Sequence, residues 1–195
     1  MKTLAALLVV GLLNISGTGQ TNTPDSPTAS QLLKDAEATA SSQHRNILLV
    51  FSASWCAPCH RLQSFLNDPV ISPIFDRYFV KLIVDYGEHT DDKRCKDTQG
   101  ADELIDALHE RETGVPLIVM LNSSGKPIVD SILPVYGRRN NHANFGYPTS
   151  PTEIDWFLEM LRRAAPSLTP NESETIKNWL VQHSDDVRFK TPAKH

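Results

Sequence analysis

Short apolar runs alternate with segments of helical periodicity along the chain. Residues 46–51 form a run rich in branched side chains, which is typical of a strand covered on both faces. A second run, at 79–84, predicts another strand. Between them, apolar positions within 62–66 repeat at i, i+3 and i+4, which predicts a helix. The Asp68-Pro69 pair ends this helix, because proline cannot continue its hydrogen-bond ladder.

The same patterns predict five further elements. Residues 30–42 predict an amphipathic helix before the first strand, and residues 70–78 predict a second helical piece before the next one. A third helix is predicted at 101–112, after a polar loop. Two more strands, at 116–121 and 128–133, are joined by a short polar segment that contains glycine, and this connection is typical of a hairpin.

Two helix starts near the C-terminus carry a full capping signature. The segments 150–153 and 169–172 each place a hydroxyl at the N-cap, a proline at the first helical position and a glutamate at the third. The first predicts a helix with apolar residues within 154–161. The second predicts a C-terminal helix with apolar residues within 176–180.

The predicted order of elements sets the expected topology. It is strand, helix, strand, helix, strand, hairpin strand, helix, and helical crossovers between the first three strands favour parallel pairing. The hairpin requires the last two strands to be antiparallel. We therefore expect the α/β class, with a small mixed β-sheet sandwiched by helices and an extra C-terminal helix.

The N-terminus predicts an export signal and not a part of the fold. Lys2 supplies a positive charge, an apolar run covers residues 4–13, and small residues around Gly19 suit a signal peptidase. The run is shorter than the roughly 20 residues that span a bilayer, so we expect cleavage and no stable membrane anchor. The predicted location is periplasmic or extracellular. An oxidising compartment allows a cysteine pair to be either structural or catalytic.

Length and composition limit the domain organisation and the partners. A chain of 195 residues suits one domain with appendages. We expect a signal peptide at 1–19, a flexible leader at 20–29, the main domain at 30–166, and a C-terminal helix with its tail at 167–195. The formal net charge of −4 leaves no basic surplus, so we expect no nucleic-acid binding.

Residues 55–60 read W-C-A-P-C-H and carry the candidate chemistry. Two cysteines two residues apart, followed by a histidine, suit an exchangeable dithiol, a c-type haem attachment site or half of a zinc site. The motif lies between a buried strand and a helix, which favours the dithiol. Cys56 would then begin the helix, where unpaired N–H groups and the helix dipole stabilise a thiolate.

The two cysteines are expected to have different roles. Cys56 would attack a substrate disulfide, and Cys59, one turn further in and less exposed, would resolve the mixed disulfide by attacking Cys56. Pro58 suits the first helical turn, where its missing N–H costs nothing. Trp55 would shield one side of the pair.

The motif and its surroundings resemble the thioredoxin superfamily, and within it the exported bacterial thioredoxin-like proteins. The resemblance rests on residues 48–59, on the strand that ends at residue 85 and on Gly114-Val115-Pro116, and it covers roughly residues 32–165. It implies the thioredoxin fold and thiol–disulfide exchange. It also implies that Pro116 follows a cis bond, which X–Pro bonds alone make affordable, and that Val115 leaves its backbone free for a substrate chain.

Other positions near the motif either match the family or depart from it. Lys81 matches the lysine that lies beneath the active site in the family, and it would favour a thiolate electrostatically. His60 would modulate the same thiolate. Ala57-Pro58 replaces the Gly-Pro of thioredoxins proper, and the buried aspartate of the family falls on Val50. These departures favour dithiol exchange in general over a fast thioredoxin-type reductase.

The Cys-X-X-Cys-His motif also fits several alternative functions. A haem site would use Cys56, Cys59 and His60, but no convincing second iron ligand follows. A zinc site needs four ligands, and only Cys95 and scattered histidines remain. A structural disulfide is weak because so short a loop constrains the unfolded chain little, although a redox-inactive binding module on the same fold stays possible.

The sequence thus predicts a thiol:disulfide oxidoreductase that acts on protein thiols and disulfides with a redox partner protein. We expect Cys56 and Cys59 to be catalytic and Trp55 to contact the substrate, and the resemblance implies that Val115 and Pro116 bind the substrate. We expect no cofactor, no metal and a monomer. These patterns do not encode the direction of electron flow, the reduction potential or the physiological substrate. They also do not encode the roles of Cys95 and the C-terminal helix.

Overall fold

The computed structural model describes residues 26–89, 96–108, 113–134 and 143–184. The helices are α1 (Ala29–Gln43), α2 (Ala57–Leu66), α3 (Ser72–Tyr78), α4 (Ala101–Ala107), α5 (Pro151–Ala164) and α6 (Pro170–Gln182). The strands are β1 (Asn46–Ser52), β2 (Phe79–Asp85), β3 (Leu117–Leu121) and β4 (Pro127–Asp130). The predicted export signal and leader up to residue 25 lie outside the described residues.

The strands form one mixed sheet in the order β2-β1-β3-β4. β1 and β2 are parallel, with Val50 opposite Ile83, and β3 and β4 are antiparallel. Both pairings confirm the prediction. β1 lies between two partners, and its residues from Ile47 onward are buried, as the apolar run at 46–51 predicted.

The expected parallel pairing of the third strand is wrong. β3 runs antiparallel to β1, with Leu117 opposite Phe51 and Leu121 opposite Ile47. The C-terminus of β2 and the N-terminus of β3 therefore lie at the same end of the strands, on opposite sides of β1. α4 has seven residues and is about 10 Å long, whereas a seven-residue strand is about 23 Å long. This helix does not carry the chain along the length of the sheet.

Three predicted boundaries also differ from the structure. α4 ends at Ala107, before the predicted residue 112; residues 109–112 are not described. β4 ends at Asp130, because its Oδ1 accepts a hydrogen bond from the N–H of Ile132 at 2.9 Å and turns the chain. α3 begins at Ser72, and Val70 before it is 58% exposed.

The alternation of side chains along β1 and β3 builds a core on each face of the sheet. One face holds Leu48, Val50, Ile118 and Met120, and it packs against α2, α3, α5 and α6. The other face holds residues such as Ile47 and Leu49, and it packs against α1 and α4. Successive strand residues point to opposite faces, so each apolar run contributes to both cores.

The two C-terminal helices begin as predicted. Ser150 caps α5 and Thr169 caps α6, and in each helix the glutamate three residues later completes a capping box. α6 places Ile176 and Leu180 in the core on the α2 side of the sheet. The C-terminal helix is therefore packed on the domain.

The architecture confirms the predicted fold class: a mixed four-stranded sheet with helices on both faces and a C-terminal helix beyond them. Among the described residues, the structure contains no helix with both the length and the apolar character that crossing a membrane requires.

Candidate active site

Cys56 and Cys59 are joined by a disulfide at the N-terminus of α2, with their Cα atoms 5.2 Å apart. Cys56 is the N-cap residue, and its Sγ accepts a hydrogen bond from the N–H of Cys59 at 3.2 Å. This confirms the predicted position of the pair at a helix start. Once the disulfide is reduced, the free N–H groups at this end of α2 favour a negative charge on Cys56.

Both cysteines are buried, with 2% of Cys56 and 1% of Cys59 exposed. Cys59 is thus slightly less exposed than Cys56, in the order predicted, although both side chains are enclosed in the disulfide form. Ala53 and the half-buried Val115 pack against the pair. The two sulfurs consequently differ in their hydrogen bonds and hardly in their exposure.

A second segment meets the cysteine pair at the beginning of β3. The Val115–Pro116 peptide bond is cis, in agreement with the resemblance, and the carbonyl oxygen of Val115 lies 3.4 Å from Sγ of Cys56. Gly146 approaches Pro116 from another loop, since a Cβ added at residue 146 would lie 3.1 Å from Cδ of Pro116. Three parts of the chain that are far apart in sequence thus converge around Val115.

A third segment, after β2, holds the residues just before the cysteine pair. Trp55 is 51% exposed, and its Nε1 donates a hydrogen bond to the carbonyl oxygen of Gly87 at 2.8 Å. Its ring stacks on His89, with centroids 5.1 Å apart. The N–H and the hydroxyl of Ser54 both donate to the carboxylate of Glu88 at 2.6 Å. Residues 87–89 therefore hold Ser54 and Trp55, the two residues just before the cysteine pair, in place.

The remaining motif residues line the first turn of α2. Ala57 and Pro58 are exposed, and His60 is exposed with its Nε2 2.8 Å from the carbonyl oxygen of Ser54. This contact is to the backbone before the pair, so the imidazole braces the start of the helix. The surface formed by these residues surrounds the buried disulfide.

Lys81 is engaged away from the cysteine pair. Its Nζ lies 2.8 Å from the Asp76 carboxylate and donates to the hydroxyl of Ser72 at 3.1 Å. In the sheet it pairs with Leu48, four residues before the end of β1 and so about 13 Å along the strand from that end. These contacts give no support to the expected electrostatic effect of Lys81 on Cys56.

The position of the family's buried aspartate is apolar in this chain. Val50 is 2% exposed, lies in the core on the α2 side and pairs with Ile83 and Ile118 in the sheet. A carboxylate that would exchange a proton with Cys59 is therefore missing from this position. The departure noted in the sequence is also a departure in the structure.

Two groups at the site were missed by sequence reasoning. Glu88 holds Ser54, and the side chain of Asn144 bonds to the backbone on both sides of Val115. Desolvation raises the pKa of the neighbouring Asp85 carboxyl, and the negative charges of Glu88 and Asp97 raise it further. Glu88 and Asn144 lie in polar loops, whose composition does not indicate which backbone groups they meet. Cys95 and His109 lie outside the described residues.

Comparison with known proteins identifies a family over residues 28–123, which match the thioredoxin-like family. The match begins at the N-cap of α1 and ends just after β3. No curated protein matches the chain.

Several solved structures are similar to this chain at low identity. A disulphide isomerase from Xylella fastidiosa Temecula1 is 21% identical, with 81% of this chain and 92% of that chain covered and a TM-score of 0.46. DsbH oxidoreductase is 18% identical, with 72% and 83% covered and a TM-score of 0.44. A thioredoxin-fold protein from Helicobacter pylori is 18% identical, with 72% and 86% covered and a TM-score of 0.40.

The fold assignment rests on the topology of the chain and on the family match. A mixed four-stranded sheet, a Cys-X-X-Cys pair that begins the helix after the central strand β1, and a cis-proline before β3 occur together within the matched residues. The resemblance noted in the sequence is thereby confirmed. Residues 28–123 of the chain match the thioredoxin-like family, and the Cys56–Cys59 pair within them has the chemistry of a thiol:disulfide oxidoreductase.

Proposed function

We propose that this protein reduces disulfides of exported proteins through Cys56 and Cys59. The observation that carries the proposal is the position of Cys56, which is the N-cap of α2 and lies beside the carbonyl oxygen of Val115. The helix end stabilises the attacking thiolate. The neighbouring backbone provides an edge on which an extended substrate segment can pair.

The exchange has two steps that conserve sulfur and electrons. The thiolate of Cys56 attacks one sulfur of a substrate disulfide, so a mixed disulfide forms and the other substrate sulfur leaves as a thiolate that takes up a proton. The thiolate of Cys59 then attacks Sγ of Cys56. The mixed disulfide breaks, the second substrate thiol is released, and Cys56 and Cys59 end as the disulfide. The substrate gains two electrons, and a dithiol partner protein returns them to the pair.

The surface around the pair supplies candidate binding groups. In this proposal Trp55 provides an exposed apolar contact for the substrate, and Val115 and Pro116 provide the backbone edge. Ala57, Pro58 and His60 border the sulfurs and influence the exchange equilibrium. The protein acts as a monomer, and neither a cofactor nor a metal takes part.

Export remains part of the proposal through the N-terminal pattern. Lys2, the apolar run at 4–13 and the small residues up to Gly19 support cleavage near residue 19. The mature chain would then consist of a leader to residue 29, the thioredoxin-like domain and the C-terminal segment from residue 167. N-terminal sequencing of the protein recovered from the periplasm or the medium tests this cleavage.

The central test is turnover of a disulfide-linked protein substrate. The wild-type protein, kept reduced by an excess of dithiol, should accelerate reduction of the substrate, and Cys56→Ser should abolish the acceleration. Cys95→Ser is the matched control and should retain it. Full turnover by Cys56→Ser would contradict the mechanism. Equilibration with glutathione gives the direction of electron flow. The dithiol–disulfide couple of a reductant has a low reduction potential, so reduced glutathione leaves the Cys56–Cys59 pair as the disulfide.

Two competing functions give different results in simple assays. Haem attachment through Cys56, Cys59 and His60 would produce a Soret band in the purified protein. A redox-inactive binding module would keep its partner affinity in the Cys56→Ser, Cys59→Ser double variant and would show no turnover. An absorption spectrum and the turnover assay therefore separate the three functions.

A further inference from the structure

The side-chain amide of Asn144 holds the backbone on both sides of Val115. Its Nδ2 donates to the carbonyl oxygen of Gly114 at 2.6 Å and to that of Pro116 at 3.1 Å. Its Oδ1 accepts from the hydroxyl of Ser131 at 2.7 Å and from the N–H of Gly146 at 3.1 Å. Both donor hydrogens and both acceptor sites of the amide are used. This full set of partners fixes the amide in one orientation.

Ser131 ties this amide to the sheet. Its side chain is fully buried, and its hydroxyl oxygen accepts from the N–H of Ile118 at 3.0 Å while donating to Asn144. The N–H of Ser131 donates to the carbonyl oxygen of Ile118 at 2.9 Å. Ser131 thereby links the side chain of Asn144 to the backbone of β3.

The hydrogen bond to Gly114 determines which way the next N–H points. Within a trans peptide unit, the carbonyl and the following N–H point in opposite directions. The carbonyl of Gly114 faces Asn144, so the N–H of Val115 points away from it. Among the described residues this N–H has no hydrogen-bond partner, while the carbonyl of Val115 faces Sγ of Cys56. The main chain of Val115 is thus presented as an open edge beside the sulfur.

We propose that Asn144 is a positioning residue for peptide substrates: it holds the main chain of Val115 in the orientation that pairs with an extended substrate segment. This inference rests on the proposed function, because it concerns how a substrate is held at the same cysteine pair. A pairing of this kind depends on main-chain hydrogen bonds. Asn144 then sets the affinity for a disulfide carried by a peptide and leaves the attack of Cys56 on a small disulfide unchanged.

The sharpest change is Asn144→Asp, which keeps the shape of the side chain and replaces its donor. An oxygen then faces the carbonyl oxygens of Gly114 and Pro116, and neither contact is a hydrogen bond any longer. The matched control is Asn122→Asp, because Oδ1 of Asn122 accepts from the N–H groups of Ser124 and Lys126. An aspartate at residue 122 keeps both of these bonds.

The assay compares two substrates that release the same chromophore. One is a short peptide whose cysteine is joined by a disulfide to thionitrobenzoate, and the other is dithionitrobenzoate itself. With reduced protein in single-turnover stopped flow, we expect Asn144→Asp to raise the half-saturating concentration of the peptide about tenfold, which corresponds to the loss of about one hydrogen bond. The maximal rate, and the rate with dithionitrobenzoate, should stay within about twofold. Asn122→Asp should change neither substrate's kinetics.

A second variant keeps the test decisive if Asn144→Asp does not fold. Ser131→Ala removes the donor to Oδ1 of Asn144 and leaves the asparagine in place. It should raise the half-saturating peptide concentration about threefold and leave dithionitrobenzoate unaffected. Equal losses on both substrates, or no loss on the peptide, would overturn the role of Asn144. Wild-type protein that releases no chromophore from either substrate would instead overturn the proposed function.

Discussion

Sγ of Cys56 lies 3.4 Å from the carbonyl oxygen of Val115, although 59 positions separate the two residues in the chain. The contact joins the N-terminus of α2 to the residue that precedes β3 by two positions. Two groups therefore act on the same sulfur. The N–H of Cys59 donates to it, whereas the carbonyl of Val115 only accepts hydrogen bonds. Of the two, only the N–H of Cys59 can stabilise a thiolate at Cys56, because hydrogen-bond donors favour the charged form.

The first prediction concerns the thiolate of Cys56 in the reduced protein. Cys56 should be alkylated faster than Cys59, and its rate should reach half its maximum at a pH below the value of about 8.5 that is typical of a free cysteine. The reason is that the helix N-terminus and the N–H of Cys59 stabilise the thiolate. Mass spectrometry of the tryptic peptides after brief iodoacetamide pulses at several pH values measures this.

A Cys59→Ser variant provides the control for alkylation, since it leaves Cys56 as the reactive thiol of the pair. Its pH profile should follow the fast phase of the wild-type protein. A profile for Cys56 that is centred near that of free cysteine would contradict thiolate stabilisation by α2.

The second prediction concerns the mixed disulfide. Cys59→Ser should accumulate a covalent adduct with a disulfide substrate, because Cys56 still attacks but no second thiol displaces the substrate. Non-reducing electrophoresis should show the adduct, and added dithiothreitol should dissolve it. Cys56→Ser should show none. An adduct of similar yield in Cys56→Ser would assign the attack to Cys59.

The third prediction compares two glutamates in equivalent capping boxes. Glu172 lies in the first turn of α6, where Oε2 accepts from the hydroxyl of Tyr78 at 2.8 Å and Oε1 pairs with Arg77. In Glu172→Gln, the amide oxygen still accepts the hydrogen bonds that Oε2 accepts in the wild-type protein. The amide N–H groups, however, then face the guanidinium of Arg77, which is itself a donor. The substitution should lower the free energy of unfolding by about 1 kcal/mol, because Arg77 is partly exposed. Urea denaturation measures the loss.

Glu153→Gln in α5 is the matched control for the C-terminal helix. Within the described part of the chain, the hydrogen bonds that the side chain of Glu153 accepts all end on Oε2. A glutamine supplies that oxygen equally well, so the loss should stay below about 0.5 kcal/mol. Equal losses in the two variants would mean that the pairing of Arg77 with Glu172 does not hold α6 in place.

The fourth prediction is a pH dependence of stability that originates at Glu172. Burial raises the pKa of this carboxyl, but hydrogen bonds from Thr169 and Tyr78, together with the charge of Arg77, outweigh burial and lower it. A lowered pKa in the folded state stabilises the protein above the unfolded value of about 4.3, and the contribution is lost as the pH falls through the folded value. Urea midpoints between about pH 6 and pH 3 should therefore fall less steeply for Glu172→Gln than for the wild-type protein.

The sequence predicts these local elements because each of them depends on residues that are close together in the chain. The capping boxes at Ser150 and Thr169 and the helix that begins at Cys56 lie where the sequence predicted them. A hydroxyl at the N-cap and a glutamate three residues later satisfy N–H groups of the same turn. The apolar run in β1 likewise reports burial on both faces, whatever the partners are.

The sequence does not predict contacts between segments that are far apart in the chain. The antiparallel direction of β3 depends on a connection that returns to the same end of the strands, and the buried state of Cys56 depends on Val115 and Ala53 packing over it. The contacts of Asn144 with Gly114 and Pro116 join loops 30 and 28 positions apart. Polar loop residues carry no periodicity that would indicate such partners.

By itself, the sequence determined the helix starts, the buried central strand and the pair of cysteines at a helix N-terminus, since these follow from hydrogen bonding and apolar spacing over a few residues. The tertiary structure alone decided the direction of β3, the separation of Lys81 from the cysteines and the presentation of Val115 by Asn144. Those outcomes depend on contacts between segments that are distant in the sequence. Such contacts are determined by close packing and by the hydrogen bonding of buried polar groups, which exist only in the folded chain.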